Sequence, residues 1–154
     1  VGTAGRRRQA REIVLETLYR MSTVGDDPVE ILADVLERTE PEQPVVDFAR
    51  ELLGTTLEHL EEIDETIAKT VENWDVSRIA SIDRSILRYA VCELRYLSDI
   101  PPFVTIDEAI EVAKEYSTAE SGRFVNGILD RIMKNEQLGD GQEEFPRKEV
   151  EEIL

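Results

Sequence analysis

The 154 residues contain one cysteine, Cys92, and one histidine, His59. A single thiol excludes an intramolecular disulfide, and the pair together exclude histidine-rich or cysteine-rich metal clusters. A Ser/His/Asp triad would have to use His59, which sits in LEHLEE among acidic neighbours without a flanking motif. It reads as a solvated histidine on a helix surface. Apolar runs never exceed a few residues, well short of the ~20 that span a bilayer, and the start lacks the apolar stretch of a secretion signal. A soluble, cytoplasmic protein without membrane association is expected. Neither G-x-x-x-x-G-K-[ST] nor G-x-G-x-x-G occurs, so no nucleotide-dependent enzyme and no cofactor is expected.

Positive charge is scarce as well. Lys and Arg number 18 against 34 Asp and Glu, for a formal net charge of −16. The distribution is uneven: residues 1–20 carry five Arg and two Glu, and GRRRQAR places Arg6, Arg7, Arg8 and Arg11 within six positions. Pervasive acidity argues against broad wrapping of a nucleic acid, so any polyanion must be held locally. Four cations at a helix N-terminus oppose the macrodipole, which favours acidic residues there. A purely structural helix start is rarely written this way.

Apolar spacing is helical nearly throughout and nowhere strand-like, which predicts an all-α domain over residues 4–136 with a mobile acidic tail over 137–154. The first helix runs from about Ala4 to Met21. Asp27 as N-cap, Pro28 at N1 and Glu30 at N3 open the second, to about Arg38. Residues 45–71 form one long helix or two, with Gly54 as a candidate bend. A central helix runs from about Arg78 to Leu97 and ends at SDIPP. Thr105 with Glu108 reads as a T-x-x-E cap for the next helix, and the last runs from about Ala119 to Asn135.

Within the central helix Arg84, Arg88 and Arg95 form a cationic strip outside the apolar arc, open to pairing with local carboxylates such as Asp83. Glu93 points into the apolar arc, where a carboxylate must be paired, so it reads as a structural anchor. In AESGRFVNGILDRIM, Phe124 points ~100° from the core stripe, with Glu120 one turn before it on the same edge. Gly127 leaves bare backbone beside them, suggesting close approach by another group. Such an edge suits a base stacked on Phe124 or a partner's apolar side chain, but equally core packing.

The stretches RRRQAREIVLETLY, IDRSILRYAVCEL, DIPPFVTIDEAIEVAKEYS and SGRFVNGILD, in this order and spacing, resemble the NusB family of transcription antitermination factors. The resemblance implies a non-catalytic fold of two small packed helical bundles, about seven helices in all. It further implies binding of boxA RNA together with NusE, a small-subunit ribosomal protein, within the RNA polymerase antitermination complex. By position, Arg7, Arg8 and Arg11, with Arg6 beside them, fall on the family's arginine-rich RNA segment and Tyr19 on the aromatic that follows. Glu120 and Phe124 fall on positions that meet NusE and RNA, with Asp83 and Arg88 as further contacts. Monomer and homodimer are both open.

Gln9 stands where the family often continues with arginine, which implies weaker RNA binding alone and more dependence on the partner. The acidity is unusual for the family and fits a salt-adapted source. Two alternatives stand beside this reading. NusB-like domains also form the N-terminal part of ribosomal RNA cytosine methyltransferases, although no room for an S-adenosylmethionine domain follows Leu138. The other is an acidic helical adaptor that binds only protein.

Overall fold

The computed structural model describes residues 2–71 and 76–139. Among these residues the ordered elements are seven α-helices and one short 3-10 turn: α1 (Thr3–Val24), α2 (Pro28–Thr39), α3 (Gln43–Glu58), α4 (Leu60–Thr70), the turn Val76–Arg78, α5 (Ser81–Tyr96), α6 (Pro102–Tyr116) and α7 (Ala119–Gly139). Of the tail expected over 137–154, residues 137–139 belong to α7 and the rest lies outside the described residues. Helices α1–α3 pack as one small bundle and α4–α7 as a second. Helix α1 lies against α2, α3 and α5, while α5 also touches α3, α4, α6 and α7, so the α1–α5 contact joins the bundles.

Local chemistry places most of the helix ends. Gly25 closes α1 at φ 83°, donating its N–H to the carbonyl of Met21; glycine takes this left-handed conformation without a Cβ penalty. Asp27 caps α2 by accepting from the Val29 N–H at 2.9 Å, with Pro28 at N1, as the DDP sequence predicts. Glu40 ends α2 at φ 45°, and Pro41 follows, which cannot continue the helix.

Three expectations need correction. The division of residues 45–71 falls at His59, not at Gly54, which stays helical with open space around it. His59 is therefore not a freely solvated helix-surface residue: half-buried at the α3–α4 junction, it stacks on Tyr96 with ring centroids 3.9 Å apart. Helix α6 starts at Pro102, three residues before Thr105, because proline suits the first turn, where no N–H is needed. Thr105 is then inside the helix and buried, and its hydroxyl donates to Glu93 Oε1 at 2.9 Å.

The core is continuous through both bundles. Leu18 and Val14 of α1, Leu52 of α3, Ile63 and Ile67 of α4, Ile86 and Leu87 of α5 and Leu129 of α7 are fully buried within it. The close approach suspected at Gly127 occurs instead at Gly122, where an added Cβ would lie 3.0 Å from Lys114 Cγ on α6. Gly127 is exposed, and a Cβ added there would meet nothing within 4 Å among the described residues.

Candidate functional site

The arginine cluster divides in two when folded. Arg11 is 2% exposed, and its Nε and Nη2 donate to Glu93 Oε2 and Oε1 at 2.7 and 2.8 Å. Glu93 is wholly buried and also accepts from Thr105, so it is the paired structural anchor that its position in the apolar arc predicts. Burial disfavours the charge on Arg11, but the bond and charge of Glu93 more than offset that, leaving its pKa raised. Arg11, expected among the RNA contacts, is thus inside the protein, its guanidinium spanning α1 to α5. The signal was present, because Arg11 lies only ~20° from Leu18 around α1, well inside the buried stripe.

Arg6, Arg7 and Arg8 remain at the surface, with side chains 38, 35 and 32% exposed. Each has a partner from another part of the fold. Arg6 Nε donates to Glu42 Oε2 at 2.8 Å. Arg7 lies 4.5 Å above the Phe48 ring of α3 and 3.8 Å from Asp99, between α5 and α6. Arg8 donates to Glu108 of α6, a bond that raises the guanidinium pKa, with Glu12 and Glu111 adding to the negative surroundings. Glu42, Phe48 and Asp99 carry no local motif, the T-x-x-E spacing of Glu108 points to a helix cap instead, and 36 to 100 positions separate the bonded pairs. Sequence spacing could not find them.

The cationic strip of α5 is largely occupied. Arg88, 12% exposed, makes two 2.8 Å bonds to Asp64 of α4 and one of 3.1 Å to Ser22 of α1. It braces three helices, so the residue expected as a further contact is held by Asp64 and Ser22 in the RNA-free protein. Arg95 bonds Glu136 of α7 and Thr66 of α4. Arg84 reaches the carbonyls of Val76 and Ser77 at 3.4 Å, and burial, then the charge of Arg88, lower its pKa. Arg88 and Arg95 do pair with carboxylates, but with those of other helices and not with Asp83.

Glu120 and Phe124 share one edge, as their helical spacing predicts, and the fold brings Asp83 of α5 beside them. They line a cleft of about 290 Å³ between the start of α5 and the start of α7, along with Ile79, Thr118 and Ser121. Phe124 is half-buried with one side against the core, and Glu120 is exposed. Asp83 is 7% exposed; its Oδ2 accepts from Ser121 at 3.1 Å while Oδ1 has no hydrogen-bond partner among the described residues. Burial raises its pKa, with the Ser121 bond opposing.

A raised folded-state value means that protonation stabilises the fold and that this contribution is lost as pH rises through that value. Asp83→Asn should therefore be more stable than the native chain at about pH 8, with the difference disappearing towards about pH 4, near the ordinary carboxylate range. Urea melts at both pH values measure it. Equal midpoints at the higher pH would show that the buried charge is not costly.

Tyr19, 37% exposed, lines a separate groove of about 430 Å³ with Ile13, Glu16, Val35, Ile82 and Tyr116. The tertiary fold does not merge all candidate residues into one patch. Glu93, which anchors Arg11, and Asp83 are ten residues apart on α5, about 15 Å along its axis. The arginines therefore stand at one end of α5 and the Phe124 cleft at the other. Such an arrangement can hold an extended polyanion locally at its cationic end and a stacked ring or an apolar side chain at the other.

The family model described as the NusB family matches residues 8–134. The chain is 47% identical over 128 residues to the transcription antitermination protein NusB of Salinibacter ruber, covering 82% of this chain and 80% of that one. It is 42% identical over 146 residues to the corresponding protein of Symbiobacterium thermophilum, covering 90% and 95%. Among solved structures, NusB of T. maritima has a TM-score of 0.77 at 42% identity, covering 83% of this chain and 90% of that one. A chain from a crystal structure of the antitermination factors NusB and NusE in complex with dsRNA has a TM-score of 0.79 at 30% identity, with coverage of 84% and 97%.

Proposed function

The chain belongs to the NusB family, and from that premise we propose that it is a transcription antitermination factor that binds boxA RNA together with NusE during ribosomal RNA transcription. One observation carries the RNA part of the reading. Arg6, Arg7 and Arg8 keep about a third of their side-chain surface open at the start of α1, in a chain otherwise dominated by acid. A relative of the same fold is known in complex with NusE and RNA.

In this reading Arg6, Arg7 and Arg8 take the phosphates. Phe124 supplies a face for a base or for an apolar side chain of NusE, and Glu120 and Asp83 present carboxylates to the cationic NusE surface. Tyr19 extends the contact along α1. The complex so formed acts on RNA polymerase in the cytoplasm, as a binding protein and not as an enzyme.

Titrating boxA RNA with the isolated chain across a salt series tests the arginine assignment without contributions from cations of NusE. Three neutralised phosphates allow a log-log slope no steeper than roughly −2, at ~0.7 for each phosphate of a single strand. Arg7→Ala combined with Arg8→Ala should flatten the slope by about one to one and a half units. The fold should lose only a little stability, since the Arg8–Glu108 pair and the Arg7 contact with Phe48 are partly exposed and their loss is offset by relief of the unfavourable helix-dipole interaction. A slope unchanged by the double substitution would remove these arginines from the RNA site.

A further inference from the structure

Arg6 and Arg8 are already engaged with carboxylates in the RNA-free protein, and the partners come from separate elements. Glu42, at the N-cap of α3, holds Arg6 at 2.8 Å, with side-chain exposures of 38% and 53% for the pair. Glu108, in the middle of α6, holds Arg8 with exposures of 32% and 20%, and Glu12 and Glu111 reinforce the negative field there. Arg7 has the more distant Asp99 and the Phe48 ring. In each pair the carboxylate is bonded to the guanidinium Nε, so a phosphate that takes the Nε–Nη edge in two parallel bonds needs the donor the carboxylate holds. Phosphate and carboxylate therefore exclude one another at these donors.

We propose that Glu42 and Glu108 are intramolecular competitors for the RNA phosphates at Arg6 and Arg8, so that RNA binds by displacing them. The proposal rests on the reading of these arginines as the RNA contacts. It assigns to two acidic residues a function in setting RNA affinity. RNA must first disengage each pair, which lowers apparent affinity by the fraction of protein with its arginines free. Only a polyanion with several phosphates in register can displace both carboxylates at once.

Salt then acts on both sides of the exchange. It weakens RNA binding by diminishing counterion release, but it also weakens the exposed ion pairs that compete with RNA. The two effects oppose, so the native chain should show a shallower salt dependence than its number of phosphate contacts implies. Removing the competitors should steepen it.

The experiment compares the native chain with Glu42→Gln combined with Glu108→Gln, using boxA RNA in fluorescence titrations from low to high salt. A control, Glu61→Gln combined with Glu65→Gln on exposed positions of α4, makes the same change in net charge. It reports the general effect of a less acidic protein. At low salt the Glu42/Glu108 variant should bind about 5-fold to 20-fold more tightly than the native chain, from the usual size of two partly exposed ion pairs. The gain should exceed that of the control and shrink as salt rises.

Affinity that is unchanged, or raised only as much as in the control, overturns the proposal. Reduced affinity also overturns it, because the carboxylates would then be orienting the arginines for RNA. The underlying reading is checked separately by Arg7→Ala with Arg8→Ala. If those substitutions leave RNA binding intact, the arginine site itself fails; if they abolish it while the glutamine variant gains nothing, only the competition fails.

Discussion

Replacing Glu93 by alanine should destabilise the protein by about 3–5 kcal/mol, the size of effect seen when one member of a buried ion pair is removed. Arg11 would keep its charge at 2% exposure with two donors deprived of acceptors, and the Thr105 hydroxyl would lose its partner. For a domain of this size the loss corresponds to a fall of roughly 6–20 °C in melting temperature. The pair bridges α1, α5 and α6, so the damage falls where the two bundles join. Calorimetry or denaturant melts provide the measurement, and an unmoved midpoint would mean that the pair does not form in solution.

A second variant separates the missing contact from the stranded charge. Changing Arg11→Met and Glu93→Leu together replaces both ions with apolar groups of comparable volume, and stability should return most of the way to the native level. The same variant tests whether Arg11 takes part in RNA binding. With Arg6, Arg7 and Arg8 intact, RNA affinity should match that of the native chain. A large loss of RNA binding in this stable double variant would restore Arg11 to the RNA site.

Phe124→Ala should weaken the ternary complex with NusE and boxA RNA by about 1–3 kcal/mol, the range for one stacked base. In dissociation constant this is roughly 5-fold to 150-fold. The ring is half-buried and packs one side against the core, while the other lines the cleft beside Asp83 and Glu120. Stability should accordingly fall by less than the ~3–5 kcal/mol of a fully buried phenylalanine. Melts and titrations on the same protein distinguish the two uses of the side chain. A core-sized loss of stability with normal binding by the folded fraction would assign Phe124 to packing alone.

Much of the helical framework was legible because its determinants are local. The spacing of Val14, Leu18 and their neighbours sets which face of α1 is buried, Asp27 with Pro28 starts α2, and Gly25 ends α1, each through interactions within one or two helical turns. The same periodicity showed that Glu93 must be paired, since it lies on an apolar face, and applied to Arg11 it would have shown that this residue is buried too. Helix starts were less legible where two signals compete. Thr105 with Glu108 resembles a cap, but the preceding proline pair begins α6 earlier and frees the threonine hydroxyl for Glu93.

Sequence by itself determined that this is an all-helical protein with its cations concentrated at one helix start and an aromatic residue at the edge of its last helix. Tertiary structure decided which of those cations are available. Arg11 is consumed by Glu93, Arg88 by Asp64 and Ser22, and Arg6 and Arg8 are shared with Glu42 and Glu108. Helical periodicity specifies the direction in which a side chain leaves its own helix, but not which distant helix will lie opposite. That depends on how α1, α3, α5 and α6 cross, and the crossing is set by core packing over the whole domain.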